Sequence, residues 1–101
     1  MVKHIILWTL KDEFSEEEKL KIKKGIKENI EGLNGKIPGL IDIKVCYEGR
    51  LPSSNAEVML DSTLESAEAL KNYAVHPDHV EVANTYVRPY TASRACLDFE
   101  I

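Results

Sequence analysis

Val2-Lys3-His4-Ile5-Ile6-Leu7-Trp8-Thr9-Leu10 is the stretch on which the fold turns. It is rich in β-formers, and side chains alternate between the two faces of a strand. Val2, Ile6, Trp8 and Leu10 share one face with His4, while Ile5 and Leu7 occupy the other. A strand that is apolar on both faces has both faces covered. A helix of the same chain can supply one cover. The other needs a second layer, and the remaining sequence holds no second set of strands. A second copy of the chain is the expected cover.

Downstream, Asp12 to Phe14 reads as a turn and Ser15-Glu16-Glu17-Glu18 as a capping box, with serine at the N-cap and glutamate at the third helical position. Ile22, Ile26, Ile30, Leu33 and Ile37 then recur at three- and four-residue spacing, one apolar stripe. The pattern predicts a helix over about 16–34, stopped by Asn34-Gly35 and kept from continuing by Pro38-Gly39. Lys19, Lys21, Lys23, Lys24 and Lys27 alternate with acids, a solvated helix face and not a phosphate groove.

Leu40 to Glu48 alternates, with Ile41, Ile43, Val45 and Tyr47 one way and Asp42, Lys44 and Glu48 the other. Residues 49–55 are loop-forming, and 56–62 predict a short strand with Val58 and Leu60 inward. Ser66 caps a helix bearing Ala67, Leu70 and Tyr73. Pro77 opens a further helical segment to about Val87, with Val80, Ala83 and Val87 inward. Residues 92–101 close the chain as a strand with Ala95, Leu97, Phe99 and Ile101 on one face. The order β-α-β-β-α-β predicts an α+β, ferredoxin-like protomer: a four-stranded antiparallel sheet with helices on one side. The bare side then pairs with that of a second copy, giving a dimeric α/β barrel that encloses a volume between the facing sheets.

With 101 residues, the chain has room for one domain, 1–101. Its 44% hydrophobic and 30% charged content exclude a disordered tail, and its net charge of −4 argues against a nucleic-acid partner. The charge is uneven: residues 1–50 hold 10 Lys/Arg against 9 Asp/Glu, and residues 51–101 hold 3 against 8. No apolar stretch reaches spanning length and no signal h-region is evident, so no membrane partner and a cytoplasmic location are expected. Cys46 and Cys96 lie in apolar runs, which predicts small buried thiols in a reducing compartment.

The residues that could carry chemistry are His79, Tyr73 and His4. His79 is the third residue of the segment opened by Pro77, where the helix dipole disfavours its protonation and Asp78 opposes that. A neutral imidazole is a usable base, and a phenol six residues earlier is both donor and acceptor. His4, on the Trp8 face of the first strand, is expected to reach the same region. The competing reading is purely architectural: His76 caps a helix, His79 bonds a backbone carbonyl, and Tyr73 fills the core with its hydroxyl at the rim. His76, Asp78 and His79 lack the companion ligands of a zinc helix, so no metal is expected. Scattered glycines form no phosphate loop. Strand cysteines are poor candidates for a reactive thiolate. Trp8 reads as core.

Val2 to Trp8, Gly35-Lys36-Ile37-Pro38-Gly39-Leu40, Glu65 to Leu70, Tyr73 through His76-Pro77-Asp78-His79-Val80, and Asp98-Phe99-Glu100 together resemble the stress-responsive dimeric α/β-barrel (Dabb) domain. The resemblance covers essentially the whole chain. It implies a ferredoxin-like protomer and a homodimer whose sheets face one another. Most members of this family have no established activity, but it includes plant olivetolic acid cyclase, which closes a linear polyketide by an aldol condensation without metal or cofactor. Matched position by position, that enzyme's histidine and tyrosine correspond to His79 and Tyr73, and its first-strand histidine to His4. A tyrosine that shapes its pocket corresponds to Ile26 here, so a polyketide substrate is not implied. The haem-degrading relatives of the wider superfamily are not resembled, because no histidine-bearing haem helix is found. The resemblance thus implies a homodimer of unassigned activity, with no cofactor. It would hold a small apolar or carbonyl-containing molecule in a chamber between sheet and helices, or act as a cyclase- or lyase-type enzyme through a His-Tyr acid/base pair.

Overall fold

The computed structural model describes all 101 residues, Met1 to Ile101. Strand β1 (Val2–Leu10) leads to helix α1 (Glu16–Glu31), strands β2 (Leu40–Cys46) and β3 (Val58–Leu64), helices α2 (Ala67–Val75) and α3 (Pro77–Val82), a π-helical turn (Ala83–Val87), and strand β4 (Thr91–Glu100). The sheet order is β2-β3-β1-β4 with every pair antiparallel, the ferredoxin-like arrangement that the hydrophobic pattern predicts.

The capping box forms as read. Ser15 Oγ accepts from the Glu18 N–H, and the Glu18 carboxylate accepts from the Ser15 N–H. Helix α1 ends at Glu31, earlier than its stripe suggests, and turns carry Leu33 and Ile37 into the core instead. Two of the five lysines, Lys21 and Lys24, are exposed as expected. Lys19 and Lys23 instead approach Glu57 at 3.7 and 3.8 Å, and Lys27 bonds both Glu31 and the Val45 carbonyl, pinning α1 to β2. Gly39 has φ +83°, and a Cβ there would lie 2.6 Å from the Ala69 Cβ, so the Pro-Gly turn lets α2 pack directly on the chain.

One core forms between the helices and the sheet, from Ile6, Trp8 and Leu10 of β1, Ile26 and Ile30 of α1, and partners on β2, β3, α2 and the π turn. Two sequence expectations need correction. A register shift between Leu40 and Asp42 turns Ile41 outward (46% exposed) and leaves Leu40 to face the core with Ile43 and Val45. An extra residue in a ladder re-aims its neighbours, which alternation alone cannot reveal. Cys46 and Cys96 are exposed free thiols, not buried ones, because both edge strands are less covered than their apolar content suggests.

The other side of the sheet stays bare. Register places Ile5, Leu7 and Met59 beside Ala95, Leu97 and Phe99, interrupted by the Lys3–Asp61 ion pair. Strand β4 is uncovered on both faces: beyond Thr91 all its residues are exposed. No helix is long and apolar enough to cross a membrane.

Candidate functional site

A cavity of about 410 Å³ lies between the sheet and the α2–α3 arm. It is on the helix side, where the resemblance implies a chamber between sheet and helices. Ile6, Trp8, Ile30, Leu60, Leu70 and Val87 give it apolar walls. Trp8 is core and wall at once, 4% exposed. Ile26, which matches a pocket tyrosine of the cyclase, is fully buried in the core and does not line the cavity, whereas Ile30 one turn later does.

Three polar rings enter these walls. Tyr73 comes from the last turn of α2, which Ser66 starts by accepting from the Ala69 N–H. His79 comes from α3, which restarts at Pro77 after the extended residue His76. His4 stands on the helix-facing row of β1. The Tyr73 ring centroid lies 4.4 Å from that of His79 and 6.0 Å from that of His4, edge-on to the latter. All three residues named from the sequence meet in one place.

The architectural reading holds in part. His76 does cap a helix, its Nδ1 accepting from the Asp78 N–H at 3.1 Å. His79 Nδ1 does meet the Ala74 carbonyl at 3.1 Å. A carbonyl oxygen only accepts, so this bond places the proton on Nδ1 and leaves Nε2 as the basic nitrogen of the neutral ring. Burial holds His79 below the usual imidazole range; the Ala74 bond opposes this, and the charges of Arg88, His4 and Arg94 reinforce it. The cause is thus chiefly desolvation, and not the helix dipole invoked from sequence. Tyr73 fills the core as that reading has it and departs from it at the hydroxyl. Its hydroxyl is not at the rim: the residue is 1% exposed and its Oη is buried with no hydrogen-bond partner. Burial pushes its pKa up to about 12, so it is a donor and not a base near neutrality.

Asp98 is the residue that sequence reasoning missed. It sits directly across from His4 in the β1–β4 ladder, and its carboxylate accepts from His4 Nδ1. This bond fixes the His4 ring and turns Nε2 away from β4. The signal was present in the alternation, since His4 and Asp98 are both on helix-facing rows, but only the register joins residues so far apart. Cys96 lies 3.8 Å from His4 Nδ1 and 3.6 Å from the Asp98 carboxylate. Partial burial and the Asp98 charge push its thiol up, toward the protonated form. His4, Cys96 and Asp98 bring ligand-type atoms within 4.8 Å of one another, whereas His76, Asp78 and His79 do not form such a group. With the carboxylate spent on His4 and the thiol protonated, the trio reads as support for the imidazole.

The π turn also borders the cavity. The Arg88 N–H bonds the Ala83 carbonyl at 2.9 Å, and Ala83, Val87 and Arg88 face the cavity. Such widened turns are frequent at functional sites.

The model of the stress responsive A/B barrel domain matches residues 2–101. Among solved structures, a dimeric protein of unknown function with a ferredoxin-like fold from Bacteroides fragilis NCTC 9343 is 36% identical, covering 99% of this chain and 95% of that one, with TM-score 0.90. A hydroxynitrile lyase from Passiflora edulis shares the fold at 19% identity and TM-score 0.79, covering 99% of this chain and 92% of that one. A haem degrader from Mycobacterium tuberculosis, solved with two haems in its active site, shares it at 16% identity and TM-score 0.72, over 100% and 95% of the two chains. No curated protein matches significantly. Because the family match runs from the first strand to the last residue, this chain belongs to the stress responsive A/B barrel domain family.

Proposed function

We propose that the protein is a homodimer that binds a small carbonyl compound in the helix-side cavity and moves a proton on it, with His79 as base and Tyr73 as hydrogen-bond donor. The observation that carries this reading is the Tyr73 hydroxyl, buried without a partner on the wall of a largely apolar cavity. An unpaired buried polar group costs about 1–3 kcal/mol, and a bound oxygen would remove that cost. In the reaction, His79 Nε2 takes a proton from the carbon next to the carbonyl. The C–H electron pair moves into the enolate, whose oxygen accepts from Tyr73 Oη. His4, steadied by Asp98, is a positioning residue against the far edge of the Tyr73 ring.

The homodimer reading rests on the bare face, where Leu7, Leu97 and Phe99 are 39%, 63% and 43% exposed. Covering what each still exposes is worth the corresponding part of the about 1.5–3 kcal/mol for burying such a side chain whole. It is also supported by the dimeric state of the Bacteroides fragilis relative. A cytoplasmic location rests on the two free thiols.

The test is deuterium exchange into 4-oxo-4-phenylbutanamide in D₂O, followed by NMR, with folded, dimeric His79→Ala as the comparison. The expected outcome is a loss of about 10²-fold or more on substitution. Equal rates for the two proteins would overturn the catalytic reading. In that case the His79–Ala74 bond is purely architectural, and the substitution acts on stability alone, by about 1–3 kcal/mol.

A further inference from the structure

We infer that the cavity takes a small organic acid, its carboxylate held at the mouth by Arg88 and Arg94 and its carbonyl directed inward to Tyr73 and His79. This rests on the reading of the cavity given above and adds the substrate class. Residues 51–101 hold only 3 basic side chains against 8 acidic ones, and two of the three, Arg88 and Arg94, border this one cavity. They arrive by separate routes. Arg88 follows the π turn, and Arg94 stands on the helix-facing row of β4, directly across from Trp8. Neither forms an ion pair. The molecule's ion pairs involve Lys3, His4, Lys19, Lys23 and Lys27, while Arg88 holds the neutral Asn84 side chain and Arg94 neighbours the protonated Cys96 thiol.

Two unneutralised guanidinium groups at the mouth of an apolar cavity in an acidic protein define an anion-binding rim. Behind them the walls are largely apolar, and the one fully buried side-chain polar atom without a partner is Tyr73 Oη. The complement is an apolar body with an oxygen at one end and a negative head at the other. In the unliganded cavity both arginines add to the burial that keeps His79 neutral.

The test compares 4-oxo-4-phenylbutanoate with its uncharged amide on the dimer by titration calorimetry. The acid should bind about tenfold tighter. In Arg88→Gln/Arg94→Gln the preference of acid over amide should vanish, and in exchange assays kcat/KM for the acid should fall relative to that for the amide by the same factor of about ten. Equal affinity of acid and amide in the wild type, or a preference that survives in the double variant, overturns the inference while leaving the cavity reading intact. If neither compound binds, the cavity reading itself fails and takes this inference with it. Inorganic phosphate displacing the acid where acetate does not would assign the rim to phosphate esters and overturn the carboxylate assignment.

Discussion

The two faces of the sheet are built from alternate residues of the same strands and come to opposite ends. On the helix side, His4, Ile6, Trp8 and Leu10 are between 2% and 6% exposed. On the other side, Leu7 and Leu97 remain 39% and 63% exposed. Both rows are apolar in sequence, so apolarity does not distinguish them. What differs is the admixture. The helix side mixes His4, Tyr73, His79 and two arginines among its apolar groups, and the open side carries one ion pair. Selective polarity marks the surface suited to a ligand, and plain grease marks the one suited to another copy.

Charging the open face should have the largest effect. Leu7→Asp/Leu97→Asp should raise the dimer dissociation constant by about 10³-fold or more, since unpaired carboxylates would be buried, with the outcome read by sedimentation. The His79–Tyr73 contact, followed by imidazole NMR, should persist in the resulting monomer. A variant that stays dimeric, or that loses the contact, breaks the division between the faces.

On the helix side, Tyr73→Phe should separate stability from activity. Exchange into the ketone should fall about 10²-fold. Denaturant stability should hold or rise by up to about 1 kcal/mol, because an unpaired buried hydroxyl is removed. A loss of stability instead would mean that the hydroxyl has a structural partner.

The smallest effect is on pH. His79 titrates below the ordinary imidazole value in the fold. As pH falls past about 6.5 the unfolded chain takes up its proton first. Stability is therefore full above that value and declines until the folded pKa is passed. His79→Gln should remove this component from urea midpoints measured between pH 7.5 and 5, and wild-type exchange should stay flat to below pH 6.5. An unchanged midpoint slope in the variant contradicts the depressed imidazole.

Much of this was legible in the sequence, for stated reasons. The capping box, the helical stripe from Ile22 to Ile30 and the two apolar faces of β1 are local patterns, and local geometry obeyed them. His4, Tyr73 and His79 could be named because acid–base chemistry needs their residue types. Ile41 was misplaced because a bulge is a property of two strands together. The exposure of Cys46 and Cys96 depends on how far the helices reach, which no periodicity encodes. Asp98 and Arg94 joined the site only through the β1–β4 register, a pairing across nearly the full length of the chain.

That last strand has a mechanical consequence. In β4, Leu97 is held between Cys96 and Asp98 by a rigid pleat, so one row cannot shift without carrying the other. Leu97 and Phe99 on the open row thus flank Asp98, whose carboxylate holds the imidazole of His4 on the opposite side of the sheet. The edge ribbon, bare on both sides, joins the open face to the rim of the cavity in a single strand.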